Sequence, residues 1–201
     1  MSHAPATSMC SIRTATPEDT RAAAAALAAL LEPGDVVALS GDLGAGKTCF
    51  VQGAATALGV ELPVTSPTFV LVKFLPGRVP VVHVDVYRLE RLVDVHDLGE
   101  DVFAPDVVTF VEWGDTIRSL LPDNRIEVAL VHEEAPAGQG THPQAAAGAA
   151  APPAGAADGD RVDPLDGGLE SIPRRLTVRA YGPRWQRREQ ALQDICASWG
   201  D

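Results

Sequence analysis

A glycine-rich segment at positions 41–48 constrains the fold of this chain more than any other feature. It reads Gly-Asp-Leu-Gly-Ala-Gly-Lys-Thr and follows an apolar run at 36–40 that predicts a short buried β-strand. A helix is predicted directly after the segment, at 48–58, ending at Gly59. This spacing, between a buried strand and a helix, is typical of a phosphate-binding loop. The sequence therefore predicts that the chain binds a nucleoside triphosphate together with magnesium.

Several residues of this loop have an expected role in phosphate binding. Gly41, Gly44 and Gly46 let the backbone turn tightly, so that its N–H groups and the following helix N-terminus hold the phosphate charge. Lys47 is expected to reach the β- and γ-phosphates, and the Thr48 hydroxyl is expected to bind magnesium. The candidate nucleotide-binding residues of the loop are Gly41, Asp42, Leu43, Gly44, Ala45, Gly46, Lys47, Thr48 and Cys49.

Two acidic residues at predicted strand ends are candidates to complete the metal site. The apolar run at 81–85 ends in Asp85 and resembles a Walker B segment, and the run at 107–111 is followed by Glu112. Ligands of open α/β sheets bind at the carboxyl ends of the strands, so both acids are suitably placed. With Lys47 they are also the catalytic candidates. The sequence leaves open whether Asp85 or Glu112 orients an attacking water, and either could instead be a solvated strand-end acid.

Three further residues near these motifs have a functional and a structural interpretation. The hydroxyl-rich run at 65–68 includes Thr68, which is a candidate to contact the γ-phosphate, although the run could also be a plain turn. Trp113 is a candidate to stack on a substrate or to fill the core. His83 lies on a predicted strand and is expected to be a satisfied core residue rather than a ligand.

The composition is that of an acidic globular protein. The chain has 201 residues, 46% of them apolar, which suits one domain with a sizeable core. Its formal net charge of −11 argues against direct nucleic-acid binding, because phosphate backbones demand basic patches. We therefore expect no DNA binding, and we expect another subunit to hold any RNA.

The cysteine pattern and the apolar runs suggest a cytoplasmic protein. The three cysteines, Cys10, Cys49 and Cys196, are far apart in the sequence and form no CxxC or zinc-like pattern. A disulfide scaffold is therefore not expected, and the reducing cytoplasm fits best. No signal-peptide pattern is seen, and no apolar run is long enough to cross a bilayer.

Further helices and strands are predicted along the rest of the chain. Thr16 and Pro17 start a helix that runs to about residue 31. The other predicted elements are strands at 70–74, 79–86, 107–111, 125–131 and 174–180, and helices at 116–121 and 184–199. The strands at 70–74 and 79–86 should form a hairpin, and the last two strands should be antiparallel neighbours on an edge of the sheet.

The order of these elements predicts an α/β fold in a single domain, 1–201. We expect a P-loop NTPase-like three-layer architecture with a mixed, mainly parallel central sheet and helices on both faces. The segment 133–172 is dominated by Ala, Gly, Pro and Asp, and we interpret it as a disordered insertion in a surface loop.

These motifs together resemble the TsaE family of threonylcarbamoyladenosine biosynthesis ATPases, also called YjeE. Besides the glycine loop, the matching residues are Thr-Ser-Pro-Thr-Phe at 65–69, His-Val-Asp-Val-Tyr-Arg-Leu at 83–89, Leu-Gly-Glu-Asp at 98–101 and Val-Glu-Trp at 111–113. The ordered set is far more specific than a phosphate-binding loop alone.

The resemblance implies a cytoplasmic ATPase that uses ATP and Mg²⁺ and assists tRNA modification. Members of this family act with TsaD and TsaB to install threonylcarbamoyl on adenosine 37 of tRNA, and do not transfer the group themselves. By the motif match, Thr48 and Glu112 would bind magnesium, and Asp85 would act near the metal and the attacking water. Trp113 would lie beside the nucleotide. Many relatives carry a second Thr or Ser after the loop threonine, whereas this chain has Cys49.

Two other functions remain open from the sequence. A small-molecule P-loop kinase shares the loop, but it usually needs an arginine-bearing lid, and no Arg-rich segment is evident over the expected site. A nucleotide-sensing switch would bind ATP without hydrolysing it. Because no arginine finger is evident either, we expect hydrolysis by the isolated chain to be slow.

Overall fold

A mixed β-sheet of seven strands forms the centre of the molecule. The structure is a computed structural model that describes residues 6–88, 100–133 and 172–199. The strands are β1 (Ser8–Thr14), β2 (Val36–Ser40), β3 (Val72–Leu75), β4 (Val81–Asp85), β5 (Val108–Glu112), β6 (Arg125–His132) and β7 (Arg174–Tyr181). The α-helices are α1 (Pro17–Ala28), α2 (Lys47–Ala57), α3 (Pro183–Gln186) and α4 (Glu189–Ser198), and the 3-10 helices are η1 (Glu100–Phe103) and η2 (Gly114–Leu120).

The sheet has a parallel centre and antiparallel flanks. Its strand order is β1-β7-β6-β2-β5-β4-β3. The four central strands, β6, β2, β5 and β4, run parallel, whereas β3 pairs antiparallel with β4, and β7 and β1 extend the other side antiparallel. The predicted α/β class, the mixed sheet and the β3–β4 hairpin are confirmed. The carboxyl ends of the parallel strands share one edge of the sheet.

Alternating residues of the strands divide the core into two layers. In β2, Val37 and Leu39 face the layer that contains the buried sides of α1, α2 and α4. Val36 and Ala38 face the opposite layer, which includes Val102 of η1 and Ile117 of η2. Among the described residues, the α-helices therefore cover one face, and 3-10 helices cover the other. Helices therefore lie on both faces, as predicted, but those on one face are 3-10 helices rather than α-helices.

The start of α1 follows directly from its sequence. The Thr16 side chain accepts a hydrogen bond from the Asp19 backbone N–H at 3.0 Å, and the Asp19 carboxylate accepts one from the Thr16 N–H at 3.0 Å. This reciprocal capping box satisfies two N–H groups that the helix cannot satisfy itself. Pro17 occupies the first turn, as predicted.

Two expectations about the chain ends are wrong. The strand β1 was not predicted, because in its alternating pattern only Ile12 is a fully buried large apolar residue. Since β1 pairs with β7, the β6–β7 pair is not at the sheet edge. The predicted final helix is two helices, since the chain turns at Arg187–Arg188 between buried Trp185 and buried Leu192.

The expectation about the cysteines also needs correction. Cys10 of β1 and Cys196 of α4 are joined by a disulfide, with Cα atoms 6.1 Å apart. Their sequence separation of 186 residues hides this proximity, which arises because α4 packs against β1. Cys49 is the free cysteine of the described residues. The predicted insertion at 133–172 lies, apart from its two ends, outside the described residues, as does the first half of the Leu-Gly-Glu-Asp motif at 98–101.

Candidate functional site

The loop and the two acids converge at the carboxyl edge of the central strands. The loop at 41–46 leaves the end of β2 and leads into α2. Asp85 and Glu112 end the parallel neighbours β4 and β5 and lie directly opposite each other in the register. Glu112 is also opposite Leu39 of β2. The fold therefore brings together groups that are up to 71 positions apart, counted as 112 − 41.

Glycine is required in the loop at the positions where the backbone is left-handed. Gly41 has a φ of 133°, and a Cβ there would lie 2.2 Å from the Leu130 carbonyl oxygen of β6. Gly46 has a φ of 104° and forms the N-cap of α2 without any side-chain cap. Because no side chain caps α2, its first N–H groups remain directed at the loop, as an anion site needs.

Thr48 and Glu112 form the centre of the site. The Thr48 hydroxyl donates to Glu112 Oε1 at 2.8 Å, and His83 Nε2 lies 2.8 Å from the same oxygen. Glu112 is 3% exposed and His83 is fully buried. The carboxylate is therefore held by two side chains, one from α2 and one from β4.

Asp85 is held by a separate set of donors. Its Oδ2 accepts hydrogen bonds from the hydroxyls of Ser66 at 2.9 Å and Thr68 at 2.6 Å. Its Oδ1 accepts from the Tyr87 backbone N–H at 3.0 Å. Asp85 thus ties the 65–68 loop to the end of β4. Of the two candidate acids, Glu112 is the one that contacts Thr48.

Lys47 folds back over the loop and against an aromatic ring. Its Nζ donates to the carbonyl oxygens of Gly41 at 2.7 Å and Asp42 at 2.8 Å, and lies 3.6 Å from the centroid of Trp113. Burial lowers the pKa of Lys47 below its usual 10.5, although Glu112 and Asp85 act in the opposite direction. A phosphate bound at the loop would add negative charge next to this partly desolvated ammonium and stabilise its charged form further.

Trp113 completes the wall of the site above Lys47. Its backbone has a φ of 60°, which is rare for a residue other than glycine. Its ring lies 4.8 Å from the ring of Tyr87, centroid to centroid. The aromatic pair therefore joins the end of β5 to the residue two positions beyond Asp85.

Cys49 faces away from this group and contacts α1. Its Sγ donates to the Pro17 carbonyl oxygen at 3.2 Å and accepts from the Arg21 guanidinium at 3.5 Å. Burial raises the pKa of the Cys49 thiol, and Arg21 and Arg174 offset this only in part. The thiol therefore stays protonated at neutral pH and serves to pack α2 on α1.

The structure brings most of the predicted site residues together. Thr48 contacts Glu112 and Lys47 contacts Trp113, whereas Thr68 contacts Asp85. The roles of these residues in nucleotide binding and catalysis stay predictions. Leu43, by contrast, extends into solvent at 81% exposure.

Sequence reasoning missed three participants in the site. Ser66 shares the Asp85 carboxylate with Thr68. His83 contacts Glu112 rather than only core residues. Arg174, at the start of β7, packs against Gly46, where an added Cβ would lie 3.4 Å from its Nε. The hydroxyl-rich run at 65–68 was a usable signal for Ser66, whereas the positions of His83 and Arg174 depend on strand register.

The oxygen donors present suit a hard cation. Mg²⁺ usually takes one or two protein carboxylates, with waters and substrate phosphates completing the octahedron. The hydroxyl of Thr48 and the carboxylate of Glu112 fit this requirement. No group of three or more His, Cys, Asp or Glu side chains that could hold a metal by themselves occurs in the described ranges. A site completed by phosphate oxygens needs no such group.

Comparison with known proteins agrees with the motif pattern. The family described as "Threonylcarbamoyl adenosine biosynthesis protein TsaE" matches residues 14–139. The chain belongs to the TsaE family. The tRNA threonylcarbamoyladenosine biosynthesis protein TsaE of Bacillus subtilis is 44% identical over 120 residues, covering 59% of this chain and 75% of that protein. The protein of the same name from Treponema pallidum is 47% identical over 103 residues, covering 50% and 76% of the two chains.

A solved structure has a similar fold. The crystal structure of Bacillus subtilis YdiB matches with a TM-score of 0.59 and 29% identity, covering 94% of this chain and 95% of that one. The TsaE match includes the loop at 41–46, both candidate acids and Trp113. Within the described residues, no helix has the length and apolar character that a membrane span requires.

Proposed function

We propose that this TsaE-family chain is a Mg²⁺-dependent ATPase that acts with TsaD and TsaB in tRNA threonylcarbamoyladenosine modification. It serves this pathway as an accessory cytoplasmic subunit and does not transfer the threonylcarbamoyl group. It reaches tRNA indirectly, through the partners, which agrees with its formal net charge of −11.

The observation that carries the ATPase proposal is the contact of Thr48 with Glu112. A hydroxyl at the start of the loop helix lies 2.8 Å from a carboxylate at the end of a parallel strand. Both groups present oxygen, the ligand that Mg²⁺ prefers. Thr48 and Glu112 would hold the ion, which when bound neutralises charge on the β- and γ-phosphates. We take the nucleotide to be ATP, as the resemblance of the motifs to the TsaE family implies.

The remaining side chains of the site orient and stabilise the reactants. Lys47 exchanges its contacts to the loop carbonyls for phosphate oxygens, where its charge stabilises the reaction. Asp85 lies opposite Glu112 in the register of β4 and β5, and in this proposal it positions the attacking water. Trp113 closes the site over Lys47.

The loop bonded to Asp85 offers a route from the nucleotide to the partners. Ser66 and Thr68 hold Asp85, while Phe69 and Val70 of the same loop are 86% and 60% exposed. A change at Asp85 when nucleotide binds would shift these exposed apolar residues. Adjacent apolar side chains at the surface are typical of protein contacts.

The partner proposal is tested by complex formation. The purified chain is mixed with TsaD and TsaB without nucleotide, with ATP and with ADP, and analysed by size-exclusion chromatography with light scattering. We expect a nucleotide-dependent complex containing all three proteins. No association under any of the three conditions would contradict the partner proposal.

The kinase alternative is tested separately. ATP is incubated with the chain and a panel of sugar and nucleoside acceptors, and phosphorylated products are sought by mass spectrometry. We expect only ADP and phosphate. Phosphorylation that depends on an acceptor would overturn the ATPase proposal.

A further inference from the structure

His83 has an unusual environment for a core histidine. The side chain is fully buried on β4, and its Nδ1 atom has no hydrogen-bond partner among the described residues. Its Nε2 atom lies 2.8 Å from Glu112 Oε1. A buried polar atom without a partner costs stability, which an apolar side chain at this position would avoid. The contact of Nε2 with Glu112 is therefore the feature that favours an imidazole over an apolar side chain at this position.

The direction of that hydrogen bond follows from the chemistry of the pair. An ionised carboxylate only accepts hydrogen bonds, so Nε2 carries the hydrogen and donates it to Glu112. Nδ1 then carries a lone pair and no hydrogen. An apolar environment tolerates a lone pair without a partner better than an N–H without a partner.

Two donors share one oxygen of the carboxylate. Thr48 and His83 both contact Oε1, at 2.8 Å each, from opposite elements. Among the described residues, no other side chain is hydrogen-bonded to Glu112. With Oε1 held from both sides, the rotation of the carboxylate is restricted and Oε2 is left for another ligand.

We propose that His83 is a positioning residue of the magnesium site. By donating Nε2–H to Oε1, it holds the Glu112 carboxylate so that Oε2 faces the cation that Thr48 also binds. This inference rests on the proposed Mg²⁺–ATP function. Outer-shell partners of this kind commonly tune metal affinity without touching the metal.

The test measures the magnesium response of nucleotide binding rather than activity. The affinity of a non-hydrolysable ATP analogue is determined by titration calorimetry in EDTA and across a Mg²⁺ series. The variants are His83→Leu, which removes the donor, and His83→Gln, whose amide nitrogen can occupy the place of Nε2. Val84→Ala is the matched control, because Val84 lies on the same strand but faces the opposite layer. Thermal unfolding of each variant is measured in parallel.

We expect His83→Leu to raise the half-saturating Mg²⁺ concentration by about 10- to 100-fold. Its affinity for the analogue in EDTA should equal that of the wild type, and His83→Gln should retain the wild-type Mg²⁺ response. Val84→Ala should lose stability but keep that response. A wild-type Mg²⁺ response in His83→Leu would overturn the proposal, as would an equal loss in Val84→Ala.

Two further outcomes are also decisive. If the wild type binds the analogue equally with and without Mg²⁺, the proposed function fails rather than the role of His83.

If His83→Leu does not fold, His83→Asn replaces it in the test. The side chain of the Asn variant is one carbon shorter than that of His83→Gln. We then expect the Asn variant to lose the response that the Gln variant keeps. Equal responses of the two amide variants would contradict the proposal.

Discussion

The hydroxyl of Thr48 can donate a hydrogen bond to the Glu112 carboxylate and, at the same time, offer a lone pair to a magnesium ion. A hydroxyl has one hydrogen to donate and two lone pairs to offer. In Thr48 the hydrogen is committed to Glu112 Oε1 at 2.8 Å, so the lone pairs remain for a cation. One side chain thus links the start of α2 to the end of β5 and still presents oxygen to the site.

Replacing Thr48 by valine tests this double role. Thr48→Val keeps the branched shape and removes the hydroxyl. We expect its affinity for Mg²⁺–ATP to fall about 10- to 100-fold, since hydrogen bonds to charged groups contribute about 1.5–3 kcal/mol. Affinity for ATP in EDTA should change little. Titration calorimetry under both conditions measures the difference.

Thr56 supplies the control on the same helix. It is exposed, and its hydroxyl donates a hydrogen bond to the Gln52 carbonyl oxygen at 2.9 Å. Thr56→Val should bind Mg²⁺–ATP as the wild type does. Equal affinities of Thr48→Val and the wild type would contradict the role assigned to Thr48.

The sequence was informative about site residues that belong to a local motif. Lys47 and Thr48 follow from the spacing of the glycine loop alone. The contacts of His83 do not, because its partner Glu112 is 29 positions away and meets it only through the register of β4 and β5. Sequence reasoning therefore predicted a core histidine, and the contact with Glu112 became visible only in three dimensions.

Among the helices, α1 and α2 pack closely enough to require glycine at one position. A Cβ added to Gly53 of α2 would lie 2.1 Å from the Arg21 carbonyl oxygen of α1. In an exposed helix, alanine would be more favourable than glycine by about 1 kcal/mol. At this contact the two backbones would have to separate.

We expect Gly53→Ala to lower the free energy of unfolding by about 1–3 kcal/mol, the usual cost of overpacking. Urea unfolding followed by circular dichroism measures the change. Thr56→Ala, an exposed substitution one turn further along α2, should stay within about 0.5 kcal/mol of the wild type. A Gly53→Ala protein as stable as the wild type would show that the helices are not in close contact there.

Helices and strands with strong local sequence signals were predictable, and those that depend on pairing or packing with distant parts of the chain were not. The strand β2, Val36–Ser40, has the predicted bounds because five consecutive β-favouring or small residues precede a glycine. The strand β1 escaped prediction because three of its residues face outward and β7 supplies its pairing. The turn at 187–188 separates α3, which contacts β7, from α4, which contacts β1, and neither glycine nor proline marks it in the sequence.

At the scale of the whole molecule, the sheet order brings the two ends of the chain together. The strand β1 adds to β7, and α4 packs on β1, so that Cys10 and Cys196 are joined. At the opposite end of β6 from the candidate site, Glu127 ties β6 to η2 and β7. It accepts hydrogen bonds from Arg118, Arg125 and Tyr181.

The pH dependence of stability should report on Glu127. Burial raises the pKa of this carboxyl, but the hydrogen bonds from Arg118 and Arg125 outweigh burial and hold the pKa below its usual 4.5. A carboxyl whose pKa is lower in the folded state stabilises the fold above its unfolded pKa. That contribution is lost as the pH falls through the folded pKa.

We therefore expect Glu127→Gln to lose less thermal stability than the wild type between about pH 6 and about pH 3.5. Near neutral pH the variant should be the less stable protein. Differential scanning calorimetry across this range gives the melting temperatures, and Glu61→Gln, at an exposed position, is the control. Parallel acid curves for Glu127→Gln and the wild type would contradict the role of this carboxylate.

In the proposed function, the Thr48–Glu112 pair serves Mg²⁺-dependent hydrolysis of ATP in a complex with TsaD and TsaB. Phosphate release is its most direct measurement, made on the wild type and Thr48→Val, with and without both partners, in Mg²⁺ and in EDTA. We predict slow release by the isolated wild type, faster release with the partners, and none above background in Thr48→Val or in EDTA. Phosphate release that is equal in Thr48→Val and the wild type, or absent from the wild type even with both partners, would contradict this role of the Thr48–Glu112 pair.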